Sequence, residues 1–163
     1  MRVAVLSDVH DNIWKLAQVL ERLQGEADAL LFCGDFCAPF TLRQMAEGFP
    51  GPIHVVFGNN DGDPLLLSQV ASAFRHVTLH GPFAEVELED RRVAVTHYPQ
   101  IGKALLRSGL YDLVCYGHSH GAEVTQEGRT VGLNPGEVMG RFGRSTYGLY
   151  DTASGKAEIR EVK

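Results

Sequence analysis

Gly117-His118-Ser119-His120 places two imidazoles two residues apart, directly after the apolar run Leu113-Val114-Cys115-Tyr116. In extended backbone, residues i and i+2 point to the same side, so both rings can reach one pocket. Neutral imidazole is the commonest metal-ligating side chain. A His-x-His pair in a polar loop is ordinary by itself; its weight comes from the pattern recurring along the chain. Val3-Ala4-Val5-Leu6 runs into Ser7-Asp8-Val9-His10, and Leu30-Leu31-Phe32-Cys33 runs into Gly34-Asp35. Val55-Val56-Phe57 meets Gly58-Asn59-Asn60-Asp61, and Val93-Ala94-Val95-Thr96 meets His97. Each run stops at Asp, Asn or His, usually beside Gly.

The elements that must carry these residues follow from the same runs. Continuous apolar stretches rich in β-branched residues read as strands buried on both faces. Ligands of open α/β sheets bind just beyond the carboxyl ends of such strands, where Gly lets the backbone turn sharply. Between the runs, Ile13, Leu16, Ala17, Leu20 and Leu23 recur at helical spacing, with Asp11 as expected N-cap and Gly25 as stop. A second helix is expected from Thr41, burying Leu42, Met45 and Ala46. Asp63 caps a third, with Pro64 at its first position and Leu66, Leu67, Val70, Ala71 and Phe74 facing inward. A fourth spans Gln100 to Ser108 and turns Ile101, Ala104 and Leu105 to the core. From Phe83 the period becomes two: Glu85, Glu87 and Glu89 alternate with Val86 and Leu88 before Asp90-Arg91, the signature of a hairpin with one solvated face. Further hairpins are expected around Gly128 and Ser154-Gly155. With no linker or repeat, residues 1–163 read as one domain of two packed sheets with helices outside.

Composition sets the outer limits. Hydrophobic content of 44% and charged content of 21% are ordinary for a globular chain. A net charge of -5 argues against a broad nucleic-acid or anionic-membrane surface. No stretch reaches membrane-spanning length and the chain opens on a strand, so a cytoplasmic protein without a membrane partner is expected. Three cysteines cannot all pair, and Cys33 and Cys115 sit in apolar runs, which reads as reduced core thiols. Cys33 and Cys37 flank Asp35, so thiolate ligation is the competing reading there.

Asp8, His10, Asp35, Asn59, His97, His118 and His120 offer more nitrogen and oxygen donors than one tetrahedral zinc takes. They suit two ions that share a bridging carboxylate and water. The nitrogen donors exclude a Ca or Mg cage and leave Mn as first expectation, with Ni, Zn, Fe or Co open. Two ions about 3.5–4 Å apart acidify the shared water and clamp the attacking and leaving oxygens of an in-line displacement. Phosphate esters most need that help, because each ion neutralises charge that otherwise repels hydroxide.

Asp8-Val9-His10, Gly34-Asp35, Gly58-Asn59-Asn60-Asp61, His97 and Gly117-His118-Ser119-His120 together resemble the calcineurin-like metallophosphoesterases. The chain length and Asn134-Pro135-Gly136 resemble that superfamily's small single-domain phosphodiesterase branch. The resemblance implies a four-layer α/β/β/α sandwich of two mixed sheets flanked by helices. It implies one metal at Asp8, His10, Asp35 and His120, and a second at Asp35, Asn59, His97 and His118, with Asp35 bridging. The implied reaction is hydrolysis of a phosphoester, in the first place a diester, by in-line attack of a metal-bridging hydroxide. The chain departs from the family pattern at Asn60, where a His is usual, and at His97-Tyr98-Pro99, where His-Gly-His is usual. Tyr98 is therefore expected to line or partly cover the pocket.

Among neighbours, Asp61 is expected to orient Asn60 or a ligand His from behind. Arg141 and Arg144 could meet a substrate phosphate; Trp14, one turn into the first helix, could stack on a base, but simple packing is the first expectation. His54, His76 and His80 fall outside the pattern and read as structural or exposed. The competing function is a non-catalytic protein-binding scaffold on the same fold, like the phosphoesterase-fold subunit of retromer; a complete donor set favours the enzyme. A protein phosphatase would need more chain for an extended peptide groove. The partner expected is a small phosphoester, and a homo-oligomer is compatible with the exposed hairpins. Asn60 can donate a hydrogen bond but cannot deliver a proton near neutral pH. Aryl phosphodiesters should therefore turn over faster than alkyl ones, and equal rates on nitrophenyl and alkyl diesters would remove that inference.

Overall fold

The computed structural model describes residues 1–162; Lys163, the last residue of the expected domain, lies outside the described residues. Chain order is β1 (Arg2–Leu6), α1 (Ile13–Leu23), β2 (Ala29–Phe32), α2 (Pro39–Gly48), β3 (Ile53–Val55), α3 (Pro64–Ser72) and β4 (Val77–Leu79). There follow β5 (Phe83–Leu88), β6 (Arg91–Thr96), α4 (Pro99–Ser108), β7 (Leu113–Cys115), β8 (Glu123–Glu127), β9 (Thr130–Asn134), β10 (Thr146–Asp151) and β11 (Lys156–Glu161). The first sheet runs β11-β10-β1-β2-β3-β4 and the second β5-β6-β7-β9-β8. In each, the central strands pair in parallel and the hairpin strands antiparallel.

Alternation along the parallel strands builds the layers. Ala4, Leu6, Leu30, Phe32, Ile53 and Val55 point toward α1, α2 and α3, while Val3, Val5, Leu31 and Cys33 point the other way. That second set meets Val93, Val95, Leu113, Cys115 and Leu133 between the sheets. On the far side α4 lies on Ala94, Val114 and Tyr116. The result is the expected four-layer sandwich. Both faces of β1 and β2 must be apolar in this arrangement, which is why their runs are continuous. Each fully buried Leu, Ile, Val or Phe contributes about 1.5–3 kcal/mol.

Several helical details differ from the sequence reading. Asn12 caps α1, accepting from Lys15 N at 3.1 Å. Asp11 instead receives Ala38 N at 2.9 Å and the Thr41 hydroxyl at 2.6 Å, and so ties down the start of α2. That helix begins at Pro39, whose fixed φ suits the first turn. In α1 the buried stripe is Leu16, Val19, Leu20 and Leu23. Trp14, two residues before Leu16, falls off that stripe and is 74% exposed rather than packed. The inward stripe of α4 is also rotated: Gly102 and Leu106 are buried, whereas Ile101 is exposed. The cause is Tyr116, whose ring fills the space a side chain at position 102 would need; a Cβ there would lie 2.5 Å from Tyr116 Cδ1. Among the described residues no helix is long and apolar enough to cross a membrane.

Away from the strand ends, His54 Nδ1 lies 3.0 Å from His80 Nε2, and His76 Nε2 lies 3.0 Å from the Ala46 carbonyl. Burial, reinforced by the neighbouring ring, pulls the His54 pKa below its ordinary 6.5, and burial alone does the same for His80. A depressed histidine leaves stability intact above the unfolded pKa and loses it as pH falls through the folded value. Urea denaturation should therefore show stability dropping as pH falls below about 6.5, and His80→Gln should flatten that slope. A slope identical to wild type would contradict it.

Candidate metal centre

The carboxyl ends of β1, β2 and β3 in one sheet and of β6 and β7 in the other open on the same edge of the sandwich. Asp8 and His10 follow β1, Asp35 follows β2, Asn59 follows β3, His97 follows β6, and His118 and His120 follow β7. The backbone there is unusual. Asp8, His10, Asp35, His118 and His120 all adopt positive φ, between 44° and 67°. Asp, Asn and His are the non-glycine residues most tolerant of that region, and each such residue still costs about 1–3 kcal/mol. Strain concentrated in this way marks an edge shaped for something other than stability.

Glycine permits the close approach. A Cβ on Gly58 would lie 2.7 Å from Asp35 N, and one on Gly117 would lie 2.8 Å from Asp8 Oδ2. The loops are then cross-tied: His118 N donates to Asp8 Oδ2 at 3.0 Å, linking the two sheets, and His10 N donates to the Asp35 carbonyl.

Two clusters of ligand atoms result, one from Asp8, His10 and His120 and the other from Asp35, His97 and His118. Asp8 Oδ1 lies 3.5 Å from His10 Nε2 and 3.4 Å from His120 Nε2. His97 Nε2 lies 3.0 Å from Asn59 Oδ1, 3.1 Å from His118 Nδ1 and 3.4 Å from Asp35 Oδ2. Asp35 Oδ2 also stands 3.6 Å from His10 Nε2, so it faces both clusters. Every residue singled out as a ligand in the sequence is therefore at this edge, and Asp35 lies between the two groups.

The donor set fits divalent cations on its own chemistry. Asp8 Oδ1 and His10 Nε2 are buried with no hydrogen-bond partner, though each costs free energy in that state. His97 Nδ1 donates to the Cys33 carbonyl at 2.7 Å, which leaves its Nε2 lone pair directed at the cluster. His120 Nδ1 is held 2.7 Å from Glu137 Oε2, again leaving Nε2 free. Burial raises Asp35, but bonds to His97 and Asn60 override it and hold the carboxyl well below the usual range. His10 is raised, chiefly by Asp8; burial would lower His97, but Asp35, the Cys33 carbonyl and Asp8 together raise it. Carboxylates that keep their charge and imidazoles that trade protons for metal are what such a site requires. Thiolate ligation is not supported: Cys33 is buried between the sheets, and burial followed by nearby carboxylates pushes the Cys37 thiol up to about 12.

Asn60 turns its amide onto Asp35, Nδ2 donating to Oδ2 at 2.7 Å and its own N to Oδ1 at 2.9 Å. Asp61 orients neither Asn60 nor an imidazole. Its carboxylate accepts from Gly58 N at 2.6 Å, Cys37 N at 2.8 Å and Asp35 N at 3.0 Å, strapping the β2 loop to the β3 loop. Tyr98 packs edge-on to His97 and tilted to His118, at 5.2 and 5.5 Å between ring centres. Arg144 is ion-paired with Glu161 at 3.5 Å, while Arg141 stacks over Phe142 at the rim.

Glu137 was not singled out from the sequence. It is buried, pairs with His120, and accepts Phe142 N at 2.5 Å with its other oxygen. The available signal was an acid directly after Asn134-Pro135-Gly136, since a ligand imidazole usually needs a carboxylate or carbonyl behind it. Asn134 has its own part, donating to the Gly117 carbonyl at 3.2 Å and Ser119 Oγ at 2.9 Å and so fixing the loop that carries both late histidines.

Comparison with known proteins agrees with this geometry. The model of the calcineurin-like phosphoesterase superfamily domain matches residues 1–155. The chain belongs to that superfamily. A phosphodiesterase of Methanocaldococcus jannaschii, MJ0936, is 30% identical to it over 99% of this chain and 98% of its own. The Escherichia coli phosphodiesterase YfcE is 27% identical over 93% of this chain and 88% of its own. A solved structure described as a novel archaeal phosphodiesterase superposes with a TM-score of 0.91 at 26% identity, covering 99% of this chain and 100% of that one. As a calcineurin-like phosphoesterase, the protein is a metal-dependent phosphoric ester hydrolase, and family membership implies divalent metal ions.

Glu137→Gln should keep the fold but weaken the hold on His120. Calorimetric titration of metal-free protein with Mn should show affinity reduced about 10–100-fold; affinity equal to wild type would show that Glu137 only fills space.

Proposed function

We propose that this calcineurin-like phosphoesterase is a phosphodiesterase that works with two neighbouring divalent cations. Asp8, His10 and His120 hold one, Asn59, His97 and His118 the other, and Asp35 is shared. The observation that carries this reading is the position of Asp35 Oδ2, 3.6 Å from His10 Nε2 and 3.4 Å from His97 Nε2. The phosphodiesterase relatives support the choice of diester. Mn is the expected ion, with Ni, Zn, Fe or Co able to use the same donors. When bound, a cation pair supplies water acidic enough to act as a nucleophile at neutral pH and a positive clamp for phosphoryl oxygens.

The chain's own residues do the rest. His97 and His120 are locked in one ring orientation by the Cys33 carbonyl and Glu137, so their metal-facing nitrogens need not reorganise during the reaction. Asn60 is exposed at the rim with its amide on Asp35, and is placed to donate to a phosphoryl oxygen. It steadies developing charge but supplies no proton to the leaving group. Arg141, over the Phe142 ring that contacts His120, adds a positive charge on that side of the centre. The substrate is a small phosphoester rather than a nucleic-acid duplex, since the net charge of -5 offers no broad cationic face.

The direct test is to strip the protein with chelator and add back Mn, Ni or Zn while assaying bis-nitrophenyl phosphate beside nitrophenyl phosphate. Metal should restore turnover with the diester preferred, and Asp35→Ala should lower it by about 10³-fold or more. Intact protein that takes up no metal would overturn the reading.

A further inference from the structure

Most features away from the centre carry no ligand chemistry. The His54–His80 pair has too few donors for a metal, and the exposed Leu65 and Leu66 of α3 are purely apolar side chains. The segment between Gly140 and Arg144 is different. Phe142 is 70% exposed, yet its ring stands edge-to-face against the ligand His120, with centroids 5.2 Å apart. The guanidinium of Arg141 lies over the same ring at 5.2 Å, and among the described residues it has no carboxylate partner. Other surface arginines nearby do: Arg144 pairs with Glu161 and Arg160 with Glu158. The backbone that carries the ring is tied to the centre, because Phe142 N donates to Glu137, the carboxylate beside His120. A cavity of about 220 Å³ opens beside it, lined by His120, Ala122, Phe142 and Thr146.

We propose that Phe142 and Arg141 form a stacking platform for the base of a nucleotide whose phosphoryl group sits at the metal centre. An exposed phenyl ring would ordinarily cost free energy in water, and a planar partner recovers it. Nucleobases stack on aromatic rings and on guanidinium planes alike, and the Arg141 charge adds attraction to the phosphate side of the same molecule. Because Phe142 touches His120, a base on the platform lies within one nucleotide's reach of the metal-facing imidazole. The platform offers one ring, so it selects one base per phosphoester, not a tract of nucleic acid. This rests on the phosphoesterase reading above and names its substrate class: phosphodiesters of nucleosides over those of non-aromatic alcohols.

Calorimetric titration of the Mn-loaded protein with AMP and with ribose 5-phosphate separates the platform from catalysis. Wild type should bind AMP about tenfold more tightly. Phe142→Leu, which keeps an apolar contact with His120, should bring the two affinities close together, and Arg141→Ala should narrow the gap. Equal affinities in wild type, or a gap that survives Phe142→Leu, would overturn the platform. The Mn affinity of each variant is measured first; a Phe142→Leu effect that tracks lost Mn would assign the ring to holding His120 and also overturn it. A tenfold gap in a protein that hydrolyses no diester leaves the platform standing and removes the catalytic reading. Turnover of bis-nitrophenyl phosphate with no gap does the reverse.

Discussion

Two carboxylates, Asp8 and Asp35, are buried where the sheets meet, and among the described residues neither has a lysine or arginine beside it. An isolated buried carboxylate is too costly to keep, and neutralising it by protonation is opposed at Asp35 by His97 and Asn60. The positive charge has to come from somewhere. Imidazoles supply part of it, and His10 and His97 are both biased toward protonation by these carboxylates. The divalent cations that the family implies would supply more, and bound here they would also satisfy the unpaired Asp8 Oδ1 and His10 Nε2. The anionic pair thus makes metal binding and the integrity of this edge one free-energy problem.

The fold answers it with rigidity. Strand ends on two different sheets aim donors at one edge, and the turns that do so occupy left-handed backbone at most ligand positions. That strain is held by surrounding order: Asp61 braces three backbone amides, Asn134 fixes the His118–His120 loop, and Asp11 anchors the start of α2. The groups behind the candidate ligands matter as much as the donors at His97 and His120, where the Cys33 carbonyl and Glu137 set which ring nitrogen faces inward.

The layered fold and the gathering of the candidate ligands at one edge were legible because both depend on backbone-scale patterns. Apolar runs in Val3–Leu6 and Leu30–Phe32 report burial on both faces, and what terminates a parallel strand is automatically at the ligand-binding edge. Packing between particular side chains was not legible. Ile101, Ala104 and Leu105 read as the inward face of α4, yet Gly102 faces the core, where the Tyr116 ring leaves no room for a side chain. Asp11 reads as the cap of the helix that follows it, but its carboxylate is spent on a helix thirty residues away in sequence. Glu137 reads as an ordinary acid until His120 is seen beside it. Trp14 reads as a packed residue, but its place on the helix turns it to solvent. Pairings of this kind depend on distance in space, which no single sequence displays.

Paired occupancy across Asp35 is most directly tested by titrating metal-free protein with Mn and recording bound ion per chain together with its electron paramagnetic resonance. A shared carboxylate requires two ions per chain at saturation, with a spin-coupled signal that Asp35→Ala abolishes. Saturation at one ion, or two ions whose spins remain independent, would contradict the shared-carboxylate centre.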